Sequence, residues 1–191
     1  MKYILGFFIT VGLIILLIVL LVAGGGDSTK TKVPSTSKTL ESYASTAATV
    51  RLTIDGPITA PENHRATRIT VGKDSTTYEE LQGYDGQVTK LETYPNTQTS
   101  YTSFLRSLEI AGFTKGDTSA ALKNDRGYCP LGTRYIFELE DSGKQLERFW
   151  STSCSGVKSF QGKTSLNVTL FKKQVPNIEK VRTPNGLSFN L

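Results

Sequence analysis

The sequence predicts an α+β chain with three parts: a transmembrane helix at the N-terminus (residues 1–23), a Gly/Ser/Thr-rich tether (24–45) and a single soluble domain (46–191). The domain is expected to hold an antiparallel sheet of about five or six strands with one main helix, residues 97–111, packed across a face. Three observations carry this. Residues 4–23 are apolar without a break. Several short segments alternate apolar and polar residues between turn signals, and one longer segment repeats with the helical period.

Sixteen of the twenty residues in the first run are Ile, Leu, Val or Phe, and none is charged. As a helix this run spans roughly 30 Å, the thickness of a bilayer's hydrocarbon core. Gly6, Thr10 and Gly12 are tolerated there. The rival is a cleaved signal peptide ending near Val22-Ala23-Gly24, but its apolar region is normally only about 7–15 residues. Lys2 precedes the helix, and Lys30, Lys32 and Lys38 follow it, so a count of flanking cations puts the domain in the cytoplasm. The short N-terminal tail, the Ser/Thr-rich linker and the even cysteine count point outside, and an extracytoplasmic domain is the expectation. Residues 24–45 begin with three glycines and cannot bury enough apolar surface to fold alone.

Val50, Leu52 and Ile54 alternate with Arg51, Thr53 and Asp55 as a half-buried strand that Gly56-Pro57 ends. Residues 68–71 suggest a second strand. Residues 77–82 and 87–93 flank Gly83-Tyr84-Asp85-Gly86, where Asp-Gly favours a hairpin with positive φ. In residues 97–111, Tyr101, Phe104, Leu105 and Leu108 make one apolar stripe, with Asn96 as cap and Gly112 as terminator. Residues 116–127 read as a polar loop. Tyr135, Phe137 and Leu139 alternate on one strand, and Leu146, Arg148 and Trp150 on the next. With Ser142-Gly143 as the turn, Leu139 faces Leu146 and Tyr135 faces Trp150. Residues 165–171 fit a strand by alternation. Thr164 before them and Lys172-Lys173 and Pro176 after them tip the choice to a short helix. Residues 187–191 are a further edge strand or a loose end.

Cys129 and Cys154 are the only cysteines. Outside the cytoplasm they are expected to form a disulfide. In the register above they sit two residues out of opposition at the open end of the hairpin, a gap that twist or a slip of two residues would close. The bond would close a loop of about 25 residues, worth roughly 3–4 kcal/mol on a chain-entropy basis.

The net charge of +5 is uneven: residues 44–141 carry 10 basic and 13 acidic side chains, and residues 142–191 carry 8 and 2. Lys144, Arg148, Lys158, Lys163, Lys172, Lys173, Lys180 and Arg182 form the basic set. From Lys158 onward they are candidates for contact with an anionic headgroup or polymer surface; the simpler reading is a solvated face. No helix-turn-helix, RNA-binding aromatic signature or zinc finger accompanies them, so nucleic acid is not the expected partner.

No catalytic, cofactor or metal set emerges. Two Cys and one His cannot complete a four-ligand zinc site of the usual Cys/His kind, and no acidic spacing such as D-x-D-x-D-G specifies a carboxylate-rich site. His64, the only histidine, reads as a solvated loop residue before it reads as a base. Ser155-Gly156-Val157-Lys158 matches S-x-x-K without its partner motifs, and G-x-S-x-G and the phosphate-binding glycine loops are absent. Asn167-Val168-Thr169 is a glycosylation triplet in a eukaryotic host.

Two resemblances attach to short stretches. Asn63-His64-Arg65 and Ser151-Thr152-Ser153-Cys154, behind an N-terminal spanning helix, resemble sortase-like cysteine transpeptidases, which implies a His64 base and a Cys154 nucleophile. The next arginine after Cys154 is distant Arg182, and Cys129 is available to oxidise the thiol. Gly6-Phe7 and the C-terminal cysteine pair resemble type IV pilin-like proteins, which implies cleavage after Gly6. Val11 stands where that family usually has Glu, and the tether interrupts its long helix. The expectation from the residues is a non-enzymatic, membrane-anchored interaction or envelope-support domain. Its partners would be the lipid bilayer through residues 4–23 and an envelope protein or anionic polymer.

Overall fold

The structure, a computed structural model, describes residues 38–178. The apolar run 4–23, most of the tether, Lys180, Arg182 and the segment 187–191 lie outside the described residues. Among the described residues no helix is long and apolar enough to cross a membrane.

In chain order the regular elements are β1 (Thr49–Asp55), β2 (Arg65–Val71), β3 (Ser75–Gln82), β4 (Gln87–Pro95), α1 (Gln98–Ile110), β5 (Arg134–Asp141), β6 (Lys144–Thr152) and α2 (Thr164–Lys172). The strands make one antiparallel sheet in the order β4-β3-β2-β1-β5-β6. The expected α+β sheet is therefore present, with six strands and a second helix beside the main one. Strands β1 to β4 form a meander; after α1, the β5–β6 hairpin adds to the free side of β1.

One face is the core. Phe149, Phe137, Leu52, Ile69 and Tyr78 lie opposite one another across five strands, and all are buried. Tyr101, Phe104, Leu105 and Leu108, the predicted stripe of α1, pack onto this face with Phe113, Phe160, Phe171 and Val175. The Tyr101 hydroxyl donates to the Ala48 carbonyl at 2.9 Å. Fully burying such side chains contributes about 1.5–3 kcal/mol each. Residues 40–45, assigned to the tether by composition, instead form a short 3-10 turn, and Leu40 and Ala44 are buried in the same core.

Several local expectations shift. Thr97, not Asn96, caps α1, accepting from the Ser100 N–H at 3.2 Å. The Asn96 side chain instead donates to the Gly72 carbonyl, fastening the end of β4 to the β2–β3 turn. In the β3–β4 turn the positive φ values fall on Gly83 and Gly86 rather than on Asp85. Residues 164–172 are helical, and the inward side chains are Asn167 and Phe171. Asn167 is completely buried and donates to the carbonyls of Ala111 and Lys163, so the glycosylation triplet is inaccessible in the folded domain.

The β5–β6 register also differs. A bulge between Leu139 and Glu140 puts Leu139 opposite Glu147, Tyr135 opposite Ser151 and Ile136 opposite Trp150. Leu146, the extra residue, packs at the core margin, and Phe149 enters the core opposite Phe137. Trp150 turns to the other face, where its Nε1–H donates to the Leu122 carbonyl and Tyr128 lies against its ring. The predicted loop 116–127 thus covers part of that face, with a short 3-10 turn at Ala120–Leu122. The rest of this face is polar and internally compensated. Arg51 pairs with Glu138 and Glu140, Arg68 with Glu79, and Arg148 with Asp125 and Glu138.

Candidate functional site

The richest cluster of polar side chains sits where β1 ends and β5 begins. Asp55 and Arg134 are direct cross-strand partners, and Arg134 Nη2 donates to Asp55 Oδ2. The loop after β1 returns to His64 just before β2, which brings the imidazole back to the same carboxylate. Nε2 lies 2.8 Å from Asp55 Oδ1, and Nδ1 lies 3.2 Å from the Pro57 carbonyl. The Tyr84 ring stacks on the imidazole at 4.1 Å, and its hydroxyl donates to the Thr59 carbonyl while accepting from the Thr59 N–H. The carboxylate thus serves two donors at once, and both of its oxygens are used.

These contacts argue for a structural role. His64 is 3% exposed, so the imidazole is walled off by its own loop and by Tyr84. It is a buried loop anchor, not the solvated residue its polar neighbours suggested. Arg134 is buried too, and a buried guanidinium that lost its carboxylate would be left uncompensated. The cluster draws on three separate segments, and only the β1–β5 register reveals it. The one signal in the sequence is a strand ending in Asp followed within ten residues by a lone His.

The disulfide stands beside this cluster. Cys129 and Cys154 are bonded, with Cα atoms 5.7 Å apart, as the sequence suggested. The expected closure by twist or register slip is not what happens. The ladder continues past β6 through the Ser153 N–H to the Thr133 carbonyl, and a turn at 129–132, closed by Gly132 N–H to the Cys129 carbonyl, carries Cys129 back over it. Cys129 itself adopts a left-handed φ of 52°. A Cβ on Gly132 would fall 2.3 Å from the Cys129 sulfur, so only glycine leaves room for the bond. With its sulfur bonded, Cys154 carries no thiolate, and the nucleophile that the transpeptidase resemblance requires is missing in this form.

Hydrogen bonds join the loops at this end. Ile58 N–H donates to the Pro130 carbonyl at 2.7 Å, and Tyr84 holds Thr59. Three exposed apolar side chains, Ile58, Tyr84 and Leu131 (88% exposed), therefore stand on neighbouring loops. They lie at the opposite end of β1 from Thr49, where the chain enters the sheet.

The described members of the basic set do not gather into one patch. Arg148 is committed to Asp125 and Glu138. Lys163 precedes α2, and Lys172 and Lys173 end it, roughly 15 Å away along the axis. Lys172 is half-buried, and burial lowers its pKa. Lys158 is exposed on the loop after the disulfide. Among the described residues no group of three or more His, Cys, Asp or Glu is placed to hold a metal. A groove between α1 and α2, lined by Thr99, Ser103, Phe104, Ser107, Leu170 and Gln174, has a volume of about 380 Å³. The Ser103 and Ser107 hydroxyls there are spent on carbonyls one turn back.

No protein-family model matches the chain, and no curated protein is detectably similar to it.

Proposed function

We propose that the chain is a membrane-anchored, non-enzymatic interaction or envelope-support domain on the extracytoplasmic side. The observation that carries this reading is the Cys129–Cys154 bond: both cysteines of the chain are consumed in it. Such bonds persist in oxidising compartments and are rare in the cytosol. The apolar run 4–23 supports attachment to the bilayer. The enclosure of His64 and the bonding of Cys154 favour binding over catalysis. The contact surface in this reading is the loop end carrying Ile58, Tyr84 and Leu131, which would meet an envelope protein. Lys158, Lys163, Lys172, Lys173, Lys180 and Arg182 would meet an anionic polymer or headgroup surface.

Labelling intact cells with a membrane-impermeant thiol reagent, with and without reductant, tests the reading. Labelling of Cys129 and Cys154 only after reduction is the expected result. Labelling without reductant, or only after lysis, counts against it. The disulfide also suits the pilin-like reading, for which sequencing the mature N-terminus is decisive: a chain beginning at Phe7 would establish it, and any other N-terminus would exclude it.

A further inference from the structure

We infer that β4 is a self-association edge, pairing antiparallel with β4 of a second copy so that Leu91 faces Leu91 across a two-fold axis. The inference rests on the geometry of this edge and is independent of the sidedness proposed above.

The first support is backbone polarity. In an antiparallel ladder, inward and outward backbone groups alternate along a strand. Asn96 N–H donates to the Asp74 carbonyl. Counting back through the β3–β4 register, Tyr94, Glu92 and Lys90 face β3, while Thr93 and Leu91 turn their N–H and C=O away from the sheet. No described element covers that side, since β4 ends the strand order. Leu91 is 60% exposed on the open face.

The second support is charge, which also selects the register. Around an axis at Leu91, Lys90 of each copy lies opposite Glu92 of the other, on the same face of the joined sheet. Antiparallel pairing demands that outward-facing residues meet, so the neighbouring registers are displaced by two residues. One sets Lys90 against Lys90; the other sets Glu92 against Glu92. Opposite charges across a strand pair attract, and like charges directly opposed repel. Lys90 already lies 3.0 Å from Glu92 of its own chain, so pairing completes a ring of four alternating charges. The Tyr94 hydroxyl, and after it Lys90, hold the Glu92 carboxyl below its usual range and keep it ionised.

The third support is the length of usable edge. The bulge at Glu80/Leu81 leaves Thr89 without a partner and ends the regular ladder at Lys90, and Pro95 lacks a donor at the other end. Between them lies a short regular window, residues 90–94, that contains Lys90, Leu91 and Glu92. A window of that size pairs with one strand in one register and does not template an open-ended stack, because a two-fold contact closes on itself.

The test uses the full chain in mild detergent with a copper–phenanthroline oxidant. The native chain is the control, since both of its cysteines are bonded to each other. In the proposed register the Cα atoms at position 91 lie about 5.5 Å apart, within disulfide range. Leu91→Cys should cross-link to itself. Thr93→Cys, two residues from the axis, should fail to cross-link to itself. In sedimentation at low salt, Lys90→Glu or Glu92→Lys should each weaken self-association by about tenfold, and mixing the two should restore it. The inference is overturned if Leu91→Cys does not cross-link, if Thr93→Cys alone cross-links as well, or if the mixed charge variants fail to recover association.

Discussion

At the β6 edge the outward backbone groups of Trp150 are taken, whereas at the β4 edge those of Leu91 and Thr93 meet no described element. Trp150 N–H donates to the Ser159 hydroxyl, and its carbonyl accepts from the N–H groups of Ser159 and Phe160. The reason lies in the path of the chain beyond each strand. After β6 the chain turns at the disulfide and doubles back, so that Phe160 joins the core and bridges to Gly116. After β4 it passes straight into α1, and no later described element returns to that side. An edge is closed when the chain beyond it brings apolar side chains and backbone donors to the same place. Where it does not, the edge carries polar, charge-alternating residues that tolerate water.

The largest expected effect comes from breaking the closed edge at its centre. Trp150→Ala removes a fully buried ring, its bond to the Leu122 carbonyl and its contact with Tyr128. A loss of about 3–5 kcal/mol is expected in urea unfolding, with earlier proteolysis in residues 117–128. Next is the staple. Replacing both cysteines by serine releases a cross-link 25 residues apart and should cost roughly 3–4 kcal/mol. A reductant should lower the Tm of the native chain and leave the double variant unchanged.

The open edge should behave in the opposite way. Leu91→Thr changes a largely exposed side chain and should alter unfolding by about 0.5 kcal/mol or less. A loss comparable to that of Trp150→Ala would mean that β4 is covered in solution even in dilute protein.

The smallest effect is a pH dependence at the β5–β6 bulge. Burial raises the pKa of Glu147, which lies opposite Leu139. The folded state therefore holds this proton more tightly than the unfolded chain does. Its favourable contribution is complete below the unfolded carboxyl pKa and is lost as pH rises through the higher folded value. Glu147→Gln should be more stable than the native chain at pH 7 and lose that advantage near pH 4, as read by Tm against pH. An advantage that does not change with pH would assign the difference to packing.

Much of the fold is legible because it is local. The β1 alternation of Val50, Leu52 and Ile54 and the α1 stripe of Tyr101, Phe104, Leu105 and Leu108 depend only on the period of each element. The β5–β6 pairing is a different matter. Counting from the turn predicts Leu139 against Leu146, but the bulge advances β6 by one residue. That advance sends Phe149 into the core and Trp150 to the loop on the other face, and only those distant partners make the bulge worthwhile. His64 shows the same limit: nothing in Pro61-Glu62-Asn63 signals that the ring is clamped between Asp55 and Tyr84.

By itself the sequence determined the antiparallel α+β character, the position of α1 and the pairing of the two cysteines. Periodicity is a property of neighbouring residues, and two cysteines allow one intramolecular partner each. The tertiary structure decided the β5–β6 register, the inward faces of α2, the enclosure of His64 and the contrast between the sheet's two edges. Each of these depends on which surfaces exclude water together, and burial is settled between segments far apart in the chain.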